Sequence, residues 1–374
     1  MCTLVSKYNV AGPRYTSYPT VPYWDQESFK LTQWKDSVVR SFRESKNKEI
    51  SLYIHLPFCE QMCTFCGCTK RITKNHDVEL PYIKSLLKEL EMYVNLLGAK
   101  PSLKQLHLGG GTPTFFSSKT LRILMEGINK LTKKVLDAEL SFEGHPNNTN
   151  EEHLTTLAEY GFTRVCYGVQ DYNTNVQKAI NRIQPYNNVL RVTSLARSLG
   201  YNSVGHDIIY GLPFQTQDDV LNTINKTITL RPDRIAFYSY AHVPWIKGNG
   251  QRGFREEDLP SADQKRIQYE MGKKMLLMAG YDEIGMDHFA LPSDTLFKAK
   301  NEGSLHRNFM GYAASKTNLM IGLGVSAISD SWYGFAQNEK NIEAYQDLVA
   351  QGIFPVYRGH ILTQEDLVIR KHIL

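Results

Sequence analysis

An α/β fold, a partial (β/α)6 TIM-like barrel, is what this sequence predicts, and three observations carry the prediction. Short β-rich runs alternate with longer amphipathic stretches through the middle of the 374-residue chain. The units number six, two short of the eight that close a full barrel. Unusual residues follow the end of every β-rich run. Alternation of this kind argues for a parallel sheet buried on both faces. In such sheets, active groups gather at the carboxyl ends of the strands.

In chain order, "SLYIHL" (51 to 56) opens the series and runs into "CEQMCTFCGC" (59 to 68), followed by a helix expected near 79 to 97. "QLHLGG" (105 to 110) comes next, continues as "GGGTPT" (109 to 114), and precedes a helix near 118 to 135. "AELSFEG" (138 to 144) carries Glu143 at its end, ahead of a helix near 151 to 160. "RVCYGVQ" (164 to 170) ends in Gln170 and Asp171, and a helical stretch from 173 to 199 is expected to break around Pro185. "SVGHDIIYG" (203 to 211) bears Asp207 before a helix near 217 to 229, and "RIAFYSYA" (234 to 241) closes on Tyr240 and Ala241. A polar residue after one strand is ordinarily a turn. Six such endings around one rim, one of them thiol-rich, point to a site.

Composition narrows the class. Lys and Arg number 43 against 38 Asp and Glu, a net charge of +5 that is not blocked into arms or tails. This fits an anionic substrate but offers no basic stripe interleaved with aromatics, and "KLTKKVLD" reads as the solvated face of a helix, so nucleic acid is not an expected partner. No apolar run reaches signal-peptide or membrane-span length, which predicts a cytoplasmic protein without a membrane partner.

Four of the six cysteines lie in "CEQMCTFCGC". In a reducing compartment such spacing favours metal or redox chemistry over a disulfide framework. A structural zinc site would favour CxxC knuckles from two places and a fourth ligand such as Cys68 or His76. The alternative is a four-iron cluster held by Cys59, Cys63 and Cys66, with one iron left open for a substrate or cofactor. Cys68 follows Cys66 too closely for both to share a cluster comfortably, and is read as outside it.

CxxxCxxC after the first strand, with an aromatic residue (Phe65) before the third cysteine, resembles the radical S-adenosylmethionine (SAM) superfamily. "PRYTSYP", "HLPFCEQMCTFCGC", "LHLGGGTPT", "GVQDYN", "DIIYGLPFQT", "LHRNFMGY" and "GLGVSAIS" narrow this further. Together they resemble the oxygen-independent coproporphyrinogen III oxidases (dehydrogenases) of bacterial haem synthesis, from about residue 8 to the end. The resemblance implies oxidative decarboxylation of coproporphyrinogen III to protoporphyrinogen IX, two propionates becoming vinyl groups. It also implies a 4Fe-4S cluster, SAM as co-substrate, two molecules of it by the family pattern, an external electron donor such as a flavodoxin-type protein, and a monomer.

Carried over by position, Cys59, Cys63 and Cys66 would hold the cluster and the Phe65 backbone would lie near the adenine. Tyr53, Gly110 and Glu143 would hold the first SAM, with Ile328 beside it. Gly111, Thr112, Gln170, Arg182, Asp207 and Ala241 would meet the second. Side-chain chemistry suits these roles: Asp207 accepts from ribose hydroxyls, Arg182 pairs with a carboxylate, and glycine lets backbone approach closely. Tyr53 and His55, two apart on one strand, share a face, and with Cys68 are the candidate catalytic side chains. Arg14 and Arg307 are candidates for the substrate carboxylates.

Two departures from the family pattern stand out. His145 follows Glu143 where an aspartate is common. The chain also stops at "LVIRKHIL", where the family continues into a mostly helical domain over the barrel mouth, so loading of cluster and SAM without retention of the porphyrinogen is expected. The expected organisation is an N-terminal segment (1–48) at the substrate entrance, the barrel (49–290) and a C-terminal extension (291–374). Rival readings are a haem-binding chaperone, a haem-modifying radical SAM methyltransferase and a zinc module. The "PRYTSYP" block and the cysteine directly after "CG" speak against the chaperone.

Overall fold

Alternate side chains along each parallel strand divide between a polar interior and an apolar exterior. The computed structural model describes residues 7, 17–243, 251 and 253–373. Helix α1 (Leu31–Glu44) leads into β1 (Glu49–Leu56), α2 (Glu79–Leu97), β2 (Ser102–Gly110), α3 (Ser118–Leu131), β3 (Lys133–Gly144), α4 (Glu151–Glu159) and β4 (Arg164–Gln170). Then come α5 (Thr174–Ala179), α6 (Tyr186–Ser198), β5 (Ser203–Tyr210), α7 (Gln217–Leu230) and β6 (Arg234–Ser239). All six expected strands form, and β1 to β6 pair in order and in parallel. β1 and β6 are not neighbours, so the barrel is open.

Beyond β6 lie α8 (Ala262–Met278), β7 (Asp282–Gly285), β8 (His288–Ala290), α9 (Thr295–Glu302), a β9 (His306–Asn308) and β10 (Gly311–Ala313) hairpin, and β11 (Met320–Leu323). β12 (Ile328–Asp330), β13 (Gly334–Asn338), α10 (Ile342–Ala350), β14 (Val356–Ile361) and α11 (Gln364–Ile373) complete the described chain. One 12-stranded sheet results, ordered β14-β13-β12-β11-β1-β2-β3-β4-β5-β6-β8-β7. β11 lies parallel to β1, with Ser51 opposite Met320 and Ile54 opposite Leu323, so hydrogen bonding continues across residue 290 without a break in the sheet. Trp24 stacks on Phe335 of β13 at 5.6 Å, tying the N-terminal segment to the same wall.

The outward set Leu52, Ile54, Leu106, Leu108, Leu140, Phe142, Val165 and Tyr167 packs with Leu86, Leu90, Leu121, Leu124 and Ile128 of the helices, all essentially buried. At about 1.5–3 kcal/mol per fully buried large side chain, this layer supplies the main stabilisation. The inward set, including Tyr53, His107, Ser141 and Arg164, is polar and paired in register from strand to strand.

Two expectations need correction. The helix expected over 118–135 ends at Leu131, and "KLTKKVLD" is no helix face. Thr132 terminates the helix by donating its N–H and hydroxyl to Ile128 O, after which Lys133 and Lys134 pair with Ser102 and Leu103 of β2. The stretch from 173 to 199 is two helices, separated around Pro185 as expected. Among the described residues, no helix is long and apolar enough to cross a membrane.

Candidate functional site

At the carboxyl ends of β1 to β3 lies a cavity of about 440 Å3. Tyr53, His55, Cys68, Gly110, Glu143 and Ile328 all line it, so it brings together six of the residues expected from sequence. Val21, Pro22, Phe309 and Ser326 complete the wall. The Tyr53 hydroxyl donates to His55 Nδ1 at 3.1 Å, and His55 Nε2 donates to the Thr69 carbonyl at 2.8 Å. A carbonyl only accepts, so the ring proton sits on Nε2. Burial lowers the His55 pKa, outweighing the Thr69 hydrogen bond, so the ring is neutral near pH 7.

The thiol loop rests on the glycine turn after β2. Cys59 Sγ lies 3.2 Å from Thr112 Oγ1, and a Cβ on Gly111 would stand 2.6 Å from Pro57 O and 2.9 Å from Cys59 Sγ. Gly110 has φ +120, and a Cβ there would meet Leu56 N at 2.8 Å. Only glycine permits this approach. Arg182 Nη1 reaches Cys63 Sγ at 3.6 Å while its Nη2 donates to Gly168 O at 2.6 Å. Burial raises the Cys59 thiol to about 11. A hydrogen bond from Cys68 pulls Cys66 down to about 6 against its own burial. Coordination to a metal overrides both, because a coordinating thiol is deprotonated outright. Cys68 is exposed and forms part of the cavity wall.

Gln170 adopts φ +67 at a bulge in the β4–β5 pairing, a left-handed conformation unusual for a residue with a side chain. Its Oε1 and the Arg182 Nε are buried without a hydrogen-bond partner among the described residues. Buried polar atoms left open at a strand end fit a polar ligand. Asp207 Oδ1 accepts from the Cys166 thiol at 3.1 Å, and burial, reinforced by Glu143, raises its carboxyl to about 6. Ala241 does not line the cavity; Gln251 Nε2 donates both to its carbonyl and to Phe65 O, each at 3.0 Å. Arg307 lies apart, in a smaller cavity, and Arg14 lies outside the described residues.

Sequence reasoning missed three contributors. His107 stacks on Tyr53 with ring centroids 6.1 Å apart and reaches Ser141 Oγ at 2.8 Å and Glu143 Oε1 at 3.4 Å. Cys166 touches Asp207, and Gln251 bridges the thiol loop to the end of β6. The first two were legible as polar residues at inward positions of a period-two pattern. Gln251 carried no such signal. Among the described residues, no three His, Cys, Asp or Glu side chains stand close enough to hold a single metal ion. A four-iron cluster spreads its thiolates over several irons. The three spaced cysteines, the glycine cradle and the open polar atoms therefore fit a cluster with a polar ligand beside it.

An open β/α barrel with three thiols after its first strand defines a radical SAM fold, and residues 53–227 match the radical SAM superfamily model. The chain is 40% identical over 370 residues to the oxygen-independent coproporphyrinogen III oxidase of Helicobacter pylori, spanning 99% of this chain and 80% of that protein. It is 38% identical to the enzyme of the same name from Pseudomonas aeruginosa, spanning 98% and 79%. The solved coproporphyrinogen III oxidase (HemN) of Escherichia coli, a radical SAM enzyme, superposes with a TM-score of 0.90 at 38% identity, covering 96% of this chain and 81% of that one. The chain belongs to the oxygen-independent coproporphyrinogen III oxidase family.

Proposed function

We propose that this protein oxidatively decarboxylates coproporphyrinogen III to protoporphyrinogen IX, turning two propionates into vinyl groups. The observation that carries the reading is the meeting of the thiol loop with a cavity walled by Tyr53, His55, Cys68 and Glu143, in a chain 40% identical to an enzyme of that name. A 4Fe-4S cluster with SAM supplies, when bound, a carbon-centred radical that takes a hydrogen atom from the propionate β-carbon. The substrate then loses carbon dioxide and one electron to an acceptor.

In this reading Cys59, Cys63 and Cys66 hold the cluster. Tyr53, Gly110 and Glu143 bind the first SAM beside Ile328 and the Phe65 backbone. Gly111, Thr112, Gln170, Arg182, Asp207 and Ala241 serve a second SAM; the open Gln170 Oε1 and Arg182 Nε support a polar ligand there. Neutral His55, its tautomer fixed by Thr69, holds the Tyr53 hydroxyl hydrogen bond and keeps that wall of the site in place. Cys68 faces the substrate side. The enclosing wall keeps water from a primary carbon radical. We further infer a monomer reduced by a flavodoxin-type donor, and a cytoplasmic location, with which the five described cysteines, all free thiols, accord.

Anaerobically reconstituted, reduced protein given SAM and coproporphyrinogen III should release carbon dioxide and form the divinyl product, an outcome that would overturn the expectation that the porphyrinogen is not retained; haem binding or a methylated tetrapyrrole instead would defeat the reading. Cys59→Ser, Cys63→Ser and Cys66→Ser should each abolish the brown chromophore, while Cys68→Ser keeps it and loses turnover. Loss of the chromophore in Cys68→Ser would make that residue a fourth ligand.

A further inference from the structure

The thiol loop closes on a cation. Phe58–Cys59 pairs in parallel with Arg71–Ile72, so the chain leaves the loop beside the point where it entered. Both neighbours of Lys70 are tied down: Thr69 O accepts from His55 Nε2 at 2.8 Å, and Arg71 N donates to Pro57 O at 2.8 Å. From that fixed backbone Lys70 turns its half-buried side chain back into the loop, where Nζ donates to Cys66 O at 3.1 Å and to Cys68 O at 3.4 Å. The ammonium is thereby pinned against the Cys-Gly-Cys turn that carries the third of the spaced thiols.

Among the described residues no carboxylate pairs with Lys70. Arg71 engages Glu343, Glu60 lies 3.8 Å from His76, and Glu143 lies 3.4 Å from His107. The field of the ammonium falls on sulfur instead, favouring the thiolate form at Cys59, Cys66 and Cys68 alike. Any neutral donor could tie two carbonyls. A half-buried charge costs desolvation, and that cost is offset where a negative group lies within reach. Arg182 repeats the arrangement from another element, with Nη1 3.6 Å from Cys63 Sγ.

Three thiolates around a four-iron core leave it net negative, and reduction adds one electron more. A fixed cation nearby therefore stabilises the reduced form over the oxidised one, and net charge around the sulfurs is one of the levers that set such potentials. We propose that Lys70 raises the reduction potential of the cluster, holding a positive charge beside Cys66 so that an external donor can reach the reduced state. The proposal rests on the cluster of the function proposed above and adds to it a residue that is neither a ligand nor a SAM contact. Lys74, four residues on and exposed, carries the same charge in open solvent, where screening weakens it.

Potentiometric titration of the anaerobically reconstituted protein, followed by the electron paramagnetic resonance signal of the reduced cluster, tests this without turnover. Lys70→Gln keeps a donor and removes the charge. It should lower the ratio of reduced to oxidised cluster at a fixed potential about tenfold, a shift of about 59 mV for one electron. Lys70→Arg, which keeps the charge, and Lys74→Gln should both match wild type, with iron and sulfide per chain equal in every variant. A wild-type midpoint in Lys70→Gln overturns the proposal, as does an equal fall in Lys70→Arg or in Lys74→Gln. A Lys70→Gln chain that takes up no cluster also overturns it, and assigns Lys70 to holding the loop. A wild-type protein that takes up no iron and sulfide instead overturns the function reading on which the proposal stands.

Discussion

At the scale of single residues, His107 shows how one ring orients a neighbouring carboxyl group. Its Nδ1 lies 2.8 Å from Ser141 Oγ and its Nε2 3.4 Å from Glu143 Oε1, so the ring bridges two inward-facing side chains of β3. His107→Ala removes that bridge and the ring under Tyr53, and should raise the KM for SAM about tenfold with a smaller change in kcat. His107→Gln keeps an amide donor at the right reach and should recover much of the loss, whereas His107→Asn is too short. Wild-type KM in His107→Ala would remove it from the site. Tyr53 and His55 on β1 and Glu143 on β3 were readable because motif and inward position coincide there. Gln251 was not, since it reaches Phe65 O from a loop 186 residues away and no local pattern records such a contact.

Two joints between elements govern the site. The first is the turn after β2, where the missing Cβ of Gly111 lets Cys59 close on the strand end. Gly111→Ala should displace that loop and cut iron and sulfide per chain to less than half. Full cluster content in that variant would show the loop to be compliant. The second is Glu89 of α2, which accepts from Gly324 N–H at 2.9 Å, Asn338 Nδ2 at 2.7 Å and the Tyr345 hydroxyl at 2.6 Å. Burial raises its carboxyl to about 7.

An acid with a raised folded pKa holds its proton in the native state after the unfolded chain has lost it. Stability from this group therefore falls as pH rises from about 4.3, the unfolded value, toward its folded value of about 7. Glu89→Gln should abolish that slope. The wild-type-minus-variant difference in unfolding free energy should drop between pH 5 and 7.5 by an amount on the order of 3 kcal/mol at most. A pH-independent difference would mean that Glu89 is ionised throughout. Helix starts were placed correctly at 151 and 217, where Asn150 and Thr216 cap the chain, but the helix capped by Ser261 was not foreseen. The end of α3 was missed because Lys133 and Lys134 suit a helix face as well as a strand, and only pairing with β2 decides between them.

Over the whole molecule, the six parallel units were visible as alternation, but the sheet's continuation past residue 290 was not. β11 is four residues long, and nothing local to it names β1 as its neighbour. Because one sheet runs through both regions, we expect a single cooperative transition. Helical circular dichroism and tryptophan fluorescence of the reconstituted protein should lose signal at one urea midpoint. Separate midpoints would mean that the C-terminal strands form an independent unit.

The pairing of β1 with β11 also fixes an order of assembly on the ribosome. β2 can join β1 as soon as residue 110 has emerged, but the other edge of β1 stays bare until residues 320–323 follow. For much of its synthesis, then, the nascent chain presents the thiols of Cys59, Cys63 and Cys66 beside an unpaired strand, open to solvent and equally open to mispairing.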